Sequence, residues 1–183
     1  MKKTLLFILV YTVSAAFAQT HEIIDELHDN GYPKSIKTYR ESMGKLEVMK
    51  ETQWYENGKQ KEKGAYKNGQ RNGKWTMWHE NGHKEKEQTF KDGKLEGKGI
   101  KWHENGHKTF EGTLKNGKQD GKWIGWYENG QKREEVTFMD GELNGKWIRW
   151  YENGQKKEEV NYINGALVDY KKWDTDGNPT LKE

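Results

Sequence analysis

The run Gly121-Lys122-Trp123-Ile124-Gly125-Trp126-Tyr127-Glu128-Asn129-Gly130-Gln131-Lys132 leads, through Arg133-Glu134-Glu135, into Val136-Thr137-Phe138-Met139-Asp140-Gly141. Two stretches rich in Trp, Tyr, Val and Thr flank Glu-Asn-Gly, and a second Gly-containing turn follows. That is the grammar of a β-hairpin, with no helical period. Two registers fit the first turn. A two-residue Asn-Gly turn pairs Glu128 with Gln131, whereas a three-residue Glu-Asn-Gly loop, with Gly130 at positive φ, pairs Tyr127 with Gln131. Slipping by one residue exchanges the faces of a strand, so the apolar pattern arbitrates. The three-residue loop is favoured because it gathers Ile124, Trp126, Val136 and Phe138 on one face. It leaves Tyr127, Gln131, Arg133, Glu135 and Thr137 on the other, with Trp123.

Working outward, the same hairpin recurs every 24 residues. Asn-Gly stands at 57–58, 81–82, 105–106, 129–130 and 153–154, each preceded by Glu. Gly69, Gly93, Gly117, Gly141 and Gly165 keep the period, as do Trp54, Trp78, Trp102, Trp126 and Trp150, and Tyr66, Phe90, Leu114, Phe138 and Tyr162. Self-similarity at a fixed period of this size marks a stacked array whose end units cap it. Residues 19–50 read as a degenerate capping repeat, with Asn30-Gly31 and Tyr39 offset by a three-residue insertion. Residues 51–165 are the tandem repeats. Residues 166–183 are a second degenerate repeat, slipped by one and ending at Trp173 and Asp176-Gly177.

The expected fold is all-β, an elongated antiparallel hairpin array in a single twisted sheet. Equivalent residues then sit two strands apart, roughly 10 Å. The five tryptophans form a ladder interleaved with Gln60, Lys84, Lys108, Lys132 and Lys156, lysine stems lying over indoles. Composition agrees with so thin a structure. Apolar residues make up only 31% and charged residues 33% of the 183, but there are 9 Trp and 9 Tyr, and the net charge is +3. A thick aliphatic core is excluded, and aromatic content with low net charge argues against disorder.

Residues 1–18 read as an export signal: Lys2 and Lys3, then the apolar stretch of residues 5–13, then Ala16-Phe17-Ala18 with cleavage before Gln19. The expected location is periplasmic or secreted. The chain has no Cys, which excludes disulfides and a cysteine-linked lipid anchor.

The motif Gly121-Lys122-Trp123-x-x-Trp126-Tyr127-Glu128-Asn129-Gly130-Gln131-Lys132, followed by Val136-x-Phe138-x-x-Gly141-x-Leu143-x-Gly145, resembles the bacterial variant of the MORN repeat, whose chains include a YwqK-type antitoxin-like group. The resemblance spans roughly residues 30–177. It implies β-hairpin scaffolds, for which dimerisation and lipid binding have both been proposed. Gly99 replaces the first Trp of its copy, and the segment 67–71 lacks the usual Leu. Choline- and glucan-binding modules are also aromatic and Gly-rich, but their repeats are nearer 20 residues with Gly-Trp and Tyr-Tyr.

Enzymatic chemistry has few candidates, since a translational repeat offers identical groups side by side rather than unique converging ones. No cofactor is expected. Nucleic acid is excluded by interleaved acidic and basic residues, which leave no uncompensated basic footprint. The same balance makes a membrane surface a secondary choice. His79, His83, His103 and His107 flank two consecutive turns and form cross-strand pairs able to take a borderline metal; a duplicated neutral substitution is the alternative. Three readings follow: an interaction scaffold binding a protein partner or a second copy through Trp54, Trp78, Trp102, Trp126, Trp150, Phe90, Phe138 and Tyr162; a cell-envelope glycan binder stacking sugars on Trp; and an immunity protein that sequesters a toxin.

Overall fold

The computed structural model describes residues 8–9 and 19–180. Apart from the backbone of Ile8–Leu9, the expected export signal lies outside the described residues, as do residues 181–183. The chain divides into two compact units, Met1–Lys94 and Leu95–Glu183. The first carries β1 (Ile8–Leu9), β2 (Thr20–Leu27), β3 (Pro33–Ser42), β4 (Lys45–Trp54), β5 (Gln60–Lys67), β6 (Gln70–Trp78) and β7 (Lys84–Lys91). The second carries β8 (Lys94–Trp102) from its second residue on, β9 (Lys108–Lys115), β10 (Lys118–Trp126), β11 (Lys132–Met139), β12 (Glu142–Trp150), β13 (Lys156–Ile163), β14 (Ala166–Trp173) and β15 (Pro179–Thr180). Within each unit every strand pairs antiparallel with its sequence neighbours. The protein is an all-β array of hairpins repeating every 24 residues or so, as the sequence leads one to expect.

Two turn types alternate. At the Glu-Asn-Gly turn, Gly130 N–H donates to the Tyr127 carbonyl at 2.9 Å and Tyr127 N–H to the Gln131 carbonyl at 2.9 Å. The loop is therefore the three-residue form, with Gly130 at φ +84°, a value glycine adopts without a Cβ penalty. The other turn is a two-residue loop in which both central residues have positive φ, as in Asp140 (51°) and Gly141 (89°). This is the type I′ geometry that matches strand twist, and Asn-Gly or Asp-Gly suits it best. The end repeats keep the first pattern: Asp174 N–H donates to Asn178 at 2.9 Å, and His28 N–H to Tyr32 at 2.9 Å.

The face assignment drawn from the sequence needs correction. Trp126 opposes Lys132, but Gly125 opposes Glu134, so β11 carries a bulge of one extra residue at Lys132–Arg133. Beyond it the faces exchange. Val136 opposes Trp123 and Phe138 opposes Gly121, while Ile124 opposes Glu135. One face thus carries Trp123, Val136 and Phe138; the other carries Ile124, Trp126, Lys132, Glu135 and Thr137. The same break recurs at Gln53/Trp54, Met77/Trp78, Lys101/Trp102 and Arg149/Trp150. Phe90, Phe138 and Tyr162 consequently do not share a face with the ladder of Trp54, Trp78, Trp102, Trp126 and Trp150.

The apolar interior lies on the Trp123 face. Trp75, 1% exposed, is the one large side chain fully buried among the described residues, and Val136 and Val160 are buried too. Trp75 meets Tyr66 edge-on at 5.1 Å and Phe90 at 6.3 Å, with the Arg71 guanidinium 3.8 Å from its ring. Glu51 stands in the register position of Trp75 one repeat earlier. Its buried carboxylate accepts the Tyr66 hydroxyl at 2.7 Å and the Gln53 amide at 3.0 Å. Burial and this carboxylate push the Tyr66 phenol up to about 12.

Candidate functional site

In each unit the opposite face bears the ladder tryptophans, Trp54 and Trp78 in the first and Trp102, Trp126 and Trp150 in the second. Trp54, Trp78, Trp102, Trp126 and Trp150 are all half-buried. Each opposes the polar residue of the returning strand: Trp54 with Gln60, Trp78 with Lys84, Trp102 with Lys108, Trp126 with Lys132 and Trp150 with Lys156. The lysine of one repeat also reaches over the indole of the next. Lys108 Nζ lies 5.4 Å from the Trp126 ring, Lys132 5.7 Å from Trp150 and Lys156 5.1 Å from Trp173. The ladder and its lysine cover agree with the sequence expectation.

A carboxylate fixes each lysine in turn. Glu135 accepts Lys122 at 2.6 Å and Lys132 at 3.2 Å; Glu159 accepts Lys156 at 2.7 Å and Lys146 at 2.9 Å. Glu111 pairs with Lys108 and Lys98, and Glu87 with Lys74 and Lys84. The hydrogen bond from Lys156, then that from Lys146, holds the Glu159 carboxyl down at about 2. Lys122 lowers Glu135 and Lys108 lowers Glu111 in the same way; at Glu87 burial pulls upward, and the two lysines override it. The ladder face is therefore a mosaic of indole, ammonium and carboxylate rather than a bare apolar strip.

These carboxyls carry a pH signature. Their folded pKa values lie below the ordinary carboxylate value, so the stability they contribute is complete above that range and disappears as pH falls through the folded values. We expect the thermal midpoint, followed by circular dichroism, to drop between about pH 4.5 and pH 2. Glu159→Gln should flatten that drop, and an unchanged profile would contradict the clamp.

At the turns, side chains join one repeat to the next. Asn129 Oδ1 accepts Gln131 N–H at 2.9 Å, closing its own loop, while Asn129 Nδ2 donates to the Glu152 carbonyl of the following turn at 3.4 Å. Asn57, Asn105 and Asn153 do the same. Tyr55, Tyr127 and Tyr151 donate their hydroxyls to the carbonyls of Trp78, Trp150 and Trp173 at 2.7, 2.7 and 3.0 Å. Burial raises the phenols of Tyr55 and Tyr127.

His79 and His103 occupy the tyrosine position of that stack. Each histidine pair is joined through backbone, His79 N–H to His83 O and His103 N–H to His107 O, both at 2.8 Å. His107 Nδ1 lies 2.7 Å from the Glu128 carbonyl oxygen, and His103 Nδ1 lies 3.7 Å from the Glu128 carboxylate. Among the described residues no group of three or more His, Asp or Glu is placed to hold a metal ion. Of the four, His107 contacts the backbone of the following turn.

A family model described as a MORN repeat variant matches residues 47–68, 71–92, 119–140 and 143–164. The copy between them, residues 95–116, is the one with Gly99 in place of Trp. No match is found among curated proteins.

Proposed function

We propose that this chain, which belongs to the MORN-repeat proteins, works as a non-enzymatic interaction scaffold, exported to the periplasm or beyond, that binds a protein partner through the ladder face. The observation that carries this reading is the tryptophan at the same repeat position in each unit, Trp54 and Trp78 in the first and Trp102, Trp126 and Trp150 in the second, all half-buried. Tryptophan is among the residues enriched at protein interfaces because its indole supplies apolar area, and the ammonium and carboxylate groups around it give charge complementarity that selects the partner. Ion pairs between Lys122 and Glu135, and between Lys146 and Glu159, hold this surface in place before any partner arrives. Preorganisation of that kind lowers the entropy cost of association.

The test is affinity purification of the tagged mature chain from its native envelope, beside the double variant Trp102→Lys/Trp126→Lys. Circular dichroism must first show that the variant folds. We expect the folded variant to lose the partners recovered with the wild type. A folded variant that keeps every partner and the same oligomeric state would show that the ladder only supports the fold.

A further inference from the structure

The carboxylate clamp is broken in one repeat. Glu87, Glu111, Glu135 and Glu159 hold equivalent positions, but the preceding copy has Lys63 there. Lys63 opposes Thr52 on β4 and Thr76 on β6, and Lys50 opposes Ala65. Around them is an open surface pocket of about 280 Å³ lined by Lys50, Lys63, Gly64, Ala65, Lys74 and Thr76, with all three lysines exposed. Two further departures shape it. Ala65 stands where the later copies carry Thr89, Thr113, Thr137 and Asn161, which leaves room. Thr76 stands where Ile100, Ile124 and Ile148 follow, and as a lining residue it places a hydroxyl among the lysines. Lys74 keeps an ion pair with Glu87 at 2.7 Å. Among the described residues, Lys50 and Lys63 have no carboxylate partner.

We propose that this pocket binds a phosphate group, free or esterified. Two uncompensated ammonium groups beside a third match a dianion better than a carboxylate, and lysine is an established point-charge partner for phosphate. The Thr76 hydroxyl adds a donor, and the volume admits a phosphate or pyrophosphate. Elsewhere on this face each lysine pair meets its own glutamate, so the repeat itself supplies the comparison. The pocket lies on the same face as Trp54 and Trp78, but the proposal rests on its lysines and not on the partner-binding reading above.

The experiment titrates the full chain with inorganic pyrophosphate at low salt, by calorimetry and by amide shifts. One saturable site is expected, with shifts at Lys50, Lys63, Ala65 and Thr76. Lys63→Glu restores the residue found in the other copies and should weaken binding at least about tenfold, since an attractive charge becomes repulsive. Lys50→Gln should weaken it too and serves if the first variant folds poorly. Lys115→Glu, the same charge change at an exposed turn, should leave it unaltered. Vesicles of phosphatidylcholine with phosphatidic acid separate the sources. Binding that depends on Lys63 for pyrophosphate alone assigns a soluble phosphate, and for both assigns a lipid headgroup. Wild-type affinity in Lys63→Glu, or an equal loss in Lys115→Glu, overturns the proposal.

Discussion

Trp75→Ala is expected to cost about 3–5 kcal/mol, the usual range for emptying a buried aromatic site. The residue is 1% exposed, in an array that has little other core. Its indole N–H donates to the Ala65 carbonyl at 3.0 Å, so truncation also strips that acceptor of its partner. Trp78, three residues along β6 on the ladder face, is the natural control because it is half-buried in the same unit. Trp78→Ala should cost about half as much, in proportion to the area it removes from water. Urea unfolding monitored by circular dichroism compares the two. Equal shifts in midpoint would show that the faces contribute alike and that burial at Trp75 is not what anchors this unit.

The contrast bears on what could be read from the residues alone. Turn types and period were legible because Asn, Asp and Gly answer local backbone demands. Gly130 at φ +84° and the Asp140–Gly141 pair follow from which residues tolerate positive φ. Which face the strands present was not legible. The bulge at Lys132–Arg133 involves residues with no conformational peculiarity, and its effect is to carry Val136 and Phe138 across the sheet. Alternation counted outward from a correct turn therefore assigned the wrong partners to Trp126. The lysine cover of the ladder survived that error because Trp126 and Lys132 lie on the turn side of the bulge. A signal for the buried face was nonetheless present: Gly64 and Gly112 precede Trp75 and Trp123 by the same interval. A glycine inside a strand hints at close approach by another group. The phosphate pocket was equally visible as departures at Lys63 and Ala65, but only the paired strands show that those departures meet.

That close approach yields the second large effect. A Cβ built on Gly64 would stand 2.1 Å from the Trp75 ring, and one on Gly112 2.2 Å from the Trp123 ring. No rotation of a flexible tip relieves such an overlap, because the obstruction is the middle of an indole. Gly64→Ala should therefore destabilise by about 2–3 kcal/mol, near the upper end for overpacking, although alanine normally stabilises a strand relative to glycine. Where nature has placed Val136 at the equivalent position, the indole of Trp147 is held otherwise: its N–H donates to the Glu134 carboxylate at 3.2 Å instead of to a backbone carbonyl. Gly99→Ala is the matched control, since its Cβ would meet only a Leu114 methyl at 3.6 Å and Gly99 has no tryptophan of its own. It should be neutral or mildly stabilising. A double-mutant cycle isolates the cause. In a Trp75→Ala background the cost of Gly64→Ala should vanish, because the space the indole occupied is empty. If Gly64→Ala remains as costly without the indole, the penalty lies in the backbone, and the stacking of tryptophan on glycine does not organise this face.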